Sequence, residues 1–368
     1  MKRRDFLTKG VSVGVVAGVG YPLLANDNKA VDTASESMTG AQSAGAKTNA
    51  SSTKGMKVGL YSITYLGCWY KDRPLTWQEV LQRAKDFGYD GVEFDAKRPH
   101  ANPMDWDANT RKAVVDRAKQ LGLELPILAS NNNFSSPVPE QREAELLMVK
   151  EQIKLAADLG CPILRIFGAW NGITFRDGWA NYDEASKHGA SSWPGIPRMI
   201  RLDYIKECIA EAAKIAGDYG VTLVLQNHSP IIRDWRDVHE VVSLIDSPNL
   251  KVCFDIPHNE DNKENITEAI NTFGKSNIHF HFNGEFKRLS DGKVVGQPTV
   301  FGAPIQNYPH IVNELARTGF EGYLCWEFCH TVTDSKGNPG TLKEVDEQTK
   351  LALEYMRGLI ADAKKIYG

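Results

Sequence analysis

The sequence predicts a single-domain (β/α)₈ barrel behind an N-terminal leader, and three observations predict it. From Met56 onward, short β-type runs alternate with amphipathic helical segments. Glycine repeatedly closes a helix just before the next run, as in Phe87-Gly88, Leu121-Gly122, Leu159-Gly160 and Tyr219-Gly220. The last four runs separate apolar from polar residues by side-chain parity, as a strand between a packed shell and a barrel interior must.

The leader comes first. Lys2-Arg3-Arg4-Asp5-Phe6-Leu7 precedes a weakly apolar, glycine-rich stretch over residues 10–20. This has the form of a twin-arginine export signal and is too short and glycine-rich to span a bilayer. Residues 1–30 are read as the signal and 31–55 as a flexible linker, because a run of Ala, Ser, Thr, Gly and Asn buries too little surface to order itself. The expected location is the periplasm, with no stable membrane anchor. The six cysteines (68, 161, 208, 253, 325 and 329) form no paired CxxC motif and are expected as buried free thiols. Gly10-Val11-Ser12-Val13-Gly14 matches a hydrolase elbow by chance, since no strand precedes it.

The barrel is assigned to residues 56–368. Strands are expected near 57–62, 90–94, 123–129, 162–167, 221–226, 251–255, 278–282 and 322–327. Helices are expected near 76–87, 108–121, 140–159, 201–219, 235–245, 263–273, 306–317 and 344–364. Eight such units close a barrel; an open doubly wound sheet is disfavoured because no glycine-rich phosphate loop follows the first strand. A net charge of −3 over 368 residues, with no long run of one sign, gives no support for nucleic acid or an anionic membrane as partner. Eight Trp and twelve Tyr suit a sugar pocket as well as a core.

In the last four strands one parity is apolar: Leu223 and Leu225; Val252 and Phe254; Ile278, Phe280 and Phe282; Leu324, Trp326 and Phe328. The other carries Gln226 and His228, Asp255, His279 and His281, and Glu327. The apolar set should pack under the helices and the polar set should point inward, converging where such barrels do chemistry. Gln226, Asp255, His281 and Glu327 supply two carboxylates, an imidazole and an amide oxygen, a set that suits one divalent cation such as Mn²⁺, Co²⁺, Zn²⁺ or Mg²⁺. His279 sits one inward position deeper and is read as a supporting or structural residue. His258 follows Asp255 by three residues, in the loop above the strand, where it meets a substrate hydroxyl.

These segments resemble the xylose isomerase-like TIM-barrel superfamily, especially its sugar phosphate isomerase/epimerase group, over roughly residues 56–368. The resemblance is carried by Leu223-Val224-Leu225-Gln226-Asn227-His228, Phe254-Asp255-Ile256-Pro257-His258, Ile278-His279-Phe280-His281-Phe282-Asn283 and Cys325-Trp326-Glu327, in this order. It implies a cation that chelates two adjacent substrate oxygens and stabilises an enediolate, with Glu327 as ligand and general base together. Gln226 departs from the family, whose fifth-strand ligand is Glu; an amide oxygen can coordinate but cannot take a proton. A two-base epimerisation then loses one base. Either His228, His258 or Glu93 supplies the second face, or one base suffices, as in isomerisation or β-elimination from a keto-glycoside. The third reading is a site decayed to binding.

Further substrate-binding candidates are Glu93 at the end of the second strand, Asn131 after the third, and Arg165 on the fourth, which either binds a substrate oxygen or pairs internally. Trp170, in a long stretch from Gly168 to Pro197 that forms a lid or an oligomer contact, and Glu285 and Arg288, in an insertion over the active face, complete the set. The expected function is a metal-dependent sugar isomerase, epimerase or lyase/hydratase acting on a small sugar or keto-sugar, with homo-oligomerisation left open. The rival is a non-catalytic periplasmic sugar-binding protein. A nuclease of the same superfamily would need a basic DNA face that this chain lacks.

Overall fold

In the computed structural model, eight parallel strands close into a barrel in the order β1-β12-β9-β8-β7-β4-β3-β2. The structure describes residues 55–367 apart from 171, 173, 177–178, 182–192, 258–264 and 300–305. The expected leader and the expected His258 therefore lie outside the described residues. The barrel strands are β1 (Met56–Tyr61), β2 (Gly91–Asp95), β3 (Glu124–Ala129), β4 (Ile163–Ile166), β7 (Thr222–Gln226), β8 (Leu250–Asp255), β9 (Asn277–Phe282) and β12 (Gly322–Trp326). Two antiparallel ribbons are additions: β5 (Thr174–Arg176) with β6 (Trp179–Asn181), and β10 (Glu285–Arg288) with β11 (Val294–Gln297).

The helices between the strands are α1 (Trp77–Phe87), α2 (Ala108–Leu121), α3 (Pro139–Leu159), α4 (Arg198–Asp218), α5 (Trp235–Ile245), α6 (Ile266–Phe273), α7 (Tyr308–Arg317) and α8 (Leu342–Tyr367). Their ends follow local chemistry. Thr76 and Glu79 form a reciprocal capping box on α1, and Gly88 ends it in the left-handed region at φ 94°. Asp107 caps α2 by accepting from the Thr110 amide. α4 begins at Arg198, three residues before the expected start, because Pro197 serves as its N-cap. No described helix is long and apolar enough to cross a membrane. All six cysteines are free.

The strand parity is realised as read. Leu225, Phe254, Phe280, Phe282, Leu324 and Trp326 join the shell between sheet and helices. The opposite parity fills the barrel, where Tyr61, Ile127, Ala129, Tyr323 and Cys325 form a second, inner cluster. Ile278 is only half-buried, since it lies at the start of its strand. Strand register then stacks the interior: Asp255 lies beside His281, His281 beside Cys325, Tyr61 beside Glu93 and Gln226 beside Cys253.

Close packing of that interior leaves no room at Gly59. A Cβ there would stand 2.4 Å from Cys325 Sγ and 3.1 Å from the Tyr323 ring. Gly59→Ala is therefore expected to cost about 1–3 kcal/mol, read as a lower urea midpoint with an unchanged slope.

Candidate active site

The site is built from the C-terminal ends of the strands, where the last inward residue of each meets the barrel mouth. Asp255 and His281 are completely buried and Glu327 nearly so. Ligand atoms of the three lie within 4.8 Å of one another. His281 Nδ1 is 3.1 Å from Glu327 Oε2 and 4.0 Å from Asp255 Oδ2. Gln226 donates its amide NH₂ to Asp255 Oδ2. Its own carbonyl oxygen is buried with no hydrogen-bond partner among the described residues. Asn227 locks the Asp255 backbone from both sides, donating to its carbonyl at 2.7 Å and accepting from its amide at 2.9 Å. The four expected cation ligands are thus neighbours.

Behind them stands Glu93. The sequence suggested a substrate contact, but the structure places Glu93 fully buried beneath the two histidines, and it does not line the cleft. His279 Nε2 lies 2.9 Å from Glu93 Oε2, and His281 Nε2 lies 3.0 Å from the same oxygen. The reason is position along β2: Glu93 lies two residues, one inward layer, before the last residue of the strand, Asp95. Burial by itself would raise the Glu93 carboxyl, but the His281 and His279 imidazoles overcome it and hold Glu93 well below the ordinary carboxylate range. Burial likewise works against a charged His281, yet Glu93 and Glu327 raise it to about 10. His279, where burial prevails over Glu93, is lowered and neutral.

These residues fit a divalent cation. Asp255 and Glu327 supply carboxylate oxygens, Gln226 an orphaned amide oxygen, and His281 its Nδ1, while Glu93 accepts from Nε2 and so fixes the ring's orientation. The carboxylates on either side of His281 favour its protonated form. Coordination through Nδ1 must release that proton. Apparent affinity for Mn²⁺ or Zn²⁺ is therefore expected to fall about tenfold for each pH unit below the His281 value of about 10. Calorimetric titration in buffers of different ionisation enthalpy should register about one proton released per ion.

A cleft of about 230 Å³ opens beside Glu327, lined by Tyr61, Ile63, Trp69, Asn131, Arg165, Phe167, Trp170, His228, Glu327 and Cys329. Four expected substrate contacts, Asn131, Arg165, Trp170 and His228, are on this wall. Trp170 and His228 pack ring on ring at 4.2 Å, and His228 Nδ1 lies 2.7 Å from the Ser229 carbonyl oxygen. Arg165 meets both of its expectations: it lines the cleft, and it also donates to the Ser130 carbonyl at 3.0 Å and stands 3.9 Å from Glu93. Glu285 and Arg288, expected as substrate contacts over the active face, do not line this cleft. The β10–β11 ribbon packs Phe286 between Trp326 and Tyr355 of α8, which buries Glu285 3.4 Å from His330 and turns Arg288 out onto Glu354. Sequence reading missed Tyr61, Asp95, Trp69, Phe167 and Cys329. Parity could have found two of them, because Tyr61 and Asp95 continue the inward series of β1 and β2.

Comparison with known proteins agrees with this architecture. A family described as "Xylose isomerase-like TIM barrel" matches residues 81–359. Among characterised relatives, the L-ribulose-5-phosphate 3-epimerases of Escherichia coli O1:K1 and Escherichia fergusonii are each 27% identical over 111 residues. That stretch is 28% of this chain and 39% of each relative, so the chain spans under two fifths of the relatives it matches. Among solved structures, the D-psicose 3-epimerase of Clostridium cellulolyticum H10 with D-tagatose superposes at TM-score 0.61 with 20% identity, covering 83% of this chain and 99% of that one. The 3-keto-D-glucoside 4-epimerase of E. coli superposes at 0.58 with 16% identity, covering 82% and 99%. At these identities the likeness is one of fold.

Proposed function

The chain belongs to the xylose isomerase-like TIM-barrel family, and from that premise we propose that it is a divalent-cation-dependent enzyme that removes a proton beside a carbonyl of a sugar-like substrate. The observation that carries the reading is the convergence of Asp255, His281, Glu327 and the orphaned Gln226 oxygen at the edge of an aromatic cleft. A bound cation would stabilise negative charge developing on the substrate's oxygens. Glu327, at the cleft wall, takes the proton from carbon. Trp69, Phe167 and Trp170 present flat apolar faces to a sugar ring, and Asn131 and His228 offer polar contacts to its hydroxyls. Relatives named as sugar and sugar-phosphate epimerases support the substrate class.

With Gln226 in place of a carboxylate, one base serves the carbon, so the reaction is an isomerisation, or the β-elimination of a keto-glycoside or the hydration of the resulting unsaturated ketone, rather than a two-base epimerisation. The arginine pair at the N-terminus supports work in the periplasm. The second reading, a binding protein with a disabled metal site, draws on the Gln226–Asp255 hydrogen bond, which engages one carboxylate without a cation.

The test is metal content followed by isotope exchange. Protein purified without chelator and offered Mn²⁺, Co²⁺ or Zn²⁺ should retain about one ion per chain, and then exchange a carbon-bound proton of a keto-sugar or keto-glycoside with D₂O. Protein that takes up no ion under any of these conditions establishes the binding-protein reading instead.

A further inference from the structure

We propose that two buried asparagines, Asn132 and Asn227, are positioning residues with separate tasks: Asn227 holds the Asp255 carboxylate for the cation, and Asn132 holds the aromatic wall for the sugar. Both tasks rest on the cation-and-sugar reading above and divide its two affinities between two residues behind the site.

Both make the same contact at the same place in the fold. A residue of a parallel strand presents its N–H and C=O to one neighbouring strand, and both groups need partners where that neighbour turns away. The β7–β8 ladder has its last rung at Gln226 and Cys253, two residues before Asp255. The β3–β4 ladder has its last rung at Ala129 and Arg165, two residues before Phe167. In each case an asparagine side chain supplies the next rung. Asn227 donates to the Asp255 carbonyl at 2.7 Å and accepts from its amide at 2.9 Å. Asn132 donates to the Phe167 carbonyl at 2.6 Å and accepts from its amide at 3.0 Å. A primary amide carries a donor and an acceptor on neighbouring atoms, which a carboxylate or a hydroxyl does not. Both asparagines are buried, so these bonds do not compete with bulk water.

What each clasp carries differs. Asp255 is held at both ends by consecutive residues of β7 and its exit: its carboxylate accepts from Gln226, and its backbone is pinned by Asn227. Loss of the Asn227 clasp lets the strand end shift and carries the carboxylate away from His281 and Glu327. Phe167 instead presents a ring to the cleft, packed on His228 with centroids 5.1 Å apart and covered by the Arg165 guanidinium at 4.2 Å. The backbone of Asn132 extends the same grip, because its carbonyl accepts from the Trp170 amide at 3.1 Å. Next to it, Asn133 is bridged to Ala169, and the Phe134 amide donates to the Gly168 carbonyl at 2.9 Å. Asn132 therefore sets the positions of two aromatic faces of the cleft, and no cation donor depends on it. Neither asparagine lines the cleft, so each acts through the residue it holds.

Paired alanine variants test the division. Asn132→Ala and Asn227→Ala remove the same two bonds from equally buried sites, so a general loosening of the barrel would move every readout in both. Zn²⁺ alone is titrated first; D-fructose, as the probe keto-sugar, is then titrated by tryptophan fluorescence into protein saturated with Zn²⁺. Asn227→Ala should lower Zn²⁺ affinity about 10–100-fold and leave D-fructose affinity at saturating Zn²⁺ as in the wild type. Asn132→Ala should leave Zn²⁺ affinity unchanged and lower D-fructose affinity about tenfold, the size of one aromatic contact. Parallel losses of both affinities in both variants, or no loss in either, overturn the division of tasks. Amide hydrogen exchange in the wild type decides the matter where a variant does not fold. Zn²⁺ should slow exchange at the Asp255 amide and leave the Phe167 and Trp170 amides unchanged, and D-fructose should then slow those two. Uniform slowing of all three by Zn²⁺, or none, overturns the division. Wild type that takes up no Zn²⁺ overturns the proton-abstraction reading and the Asn227 task together; wild type that binds Zn²⁺ but no D-fructose removes the Asn132 task alone.

Discussion

Replacing Glu327 with glutamine is expected to abolish carbon-proton exchange while leaving the barrel folded. The amide keeps the shape and an oxygen donor but cannot accept a proton, so the loss should reach or exceed the roughly 10²–10⁴-fold that a positioned base contributes. The cation-free protein should lose some stability, because Glu327 is only 5% exposed and its carboxylate faces the His281 imidazole at 3.1 Å. Glu327→Ala removes the oxygen as well and should weaken cation binding in addition. Deuterium incorporation and metal titration on the two variants separate the roles. Exchange that survives in Glu327→Gln would place the base elsewhere.

Glu93→Ala should have the largest effect on folding of any substitution near the site. Glu93 accepts from both imidazoles in a region without solvent contact. Its removal leaves the Nε2 groups of His279 and His281 buried without their acceptor, and breaking a buried pair of this kind costs about 3–5 kcal/mol. Glu93→Gln keeps the volume but lacks the charge that favours His281 as a donor. Its expected signature is a cation affinity lowered about 10–100-fold, with a much smaller shift in the unfolding midpoint. Urea denaturation with and without Mn²⁺, together with metal titration, measures both quantities. If Glu93→Gln binds the cation as the wild type does, the orienting role assigned to Glu93 is wrong.

Most of the architecture was legible because it follows from local rules. Hydrophobic period, helix caps and β-type runs are properties of a few neighbouring residues, and all eight barrel strands lie within a residue or two of where those rules put them. The expected cation ligands were legible for a related reason: parity assigns each inward residue to a strand end, and the fold assembles strand ends at one mouth. Gln226, Asp255, His281 and Glu327 come from four different strands, yet no detailed geometry was needed to expect them together.

Contacts made across the barrel obey no such rule. Glu93 and His281 are 188 positions apart, and only closure of the barrel turns a strand-end carboxylate into the partner of two histidines. Arg288 shows the same limit on the outside, since its loop sequence does not say that Phe286 docks on Trp326 and Tyr355 and carries the guanidinium to Glu354. The sequence by itself determined the repeating unit, the inward and outward faces, and the donor types at the mouth, because short-range backbone geometry sets these. Only the tertiary structure decided which donors support others from behind, which aromatic faces open onto the cleft, and that Asp95 is buried behind Tyr61. Those outcomes depend on layer depth and on neighbours brought together from distant strands, and burial at that depth is what sets their charge.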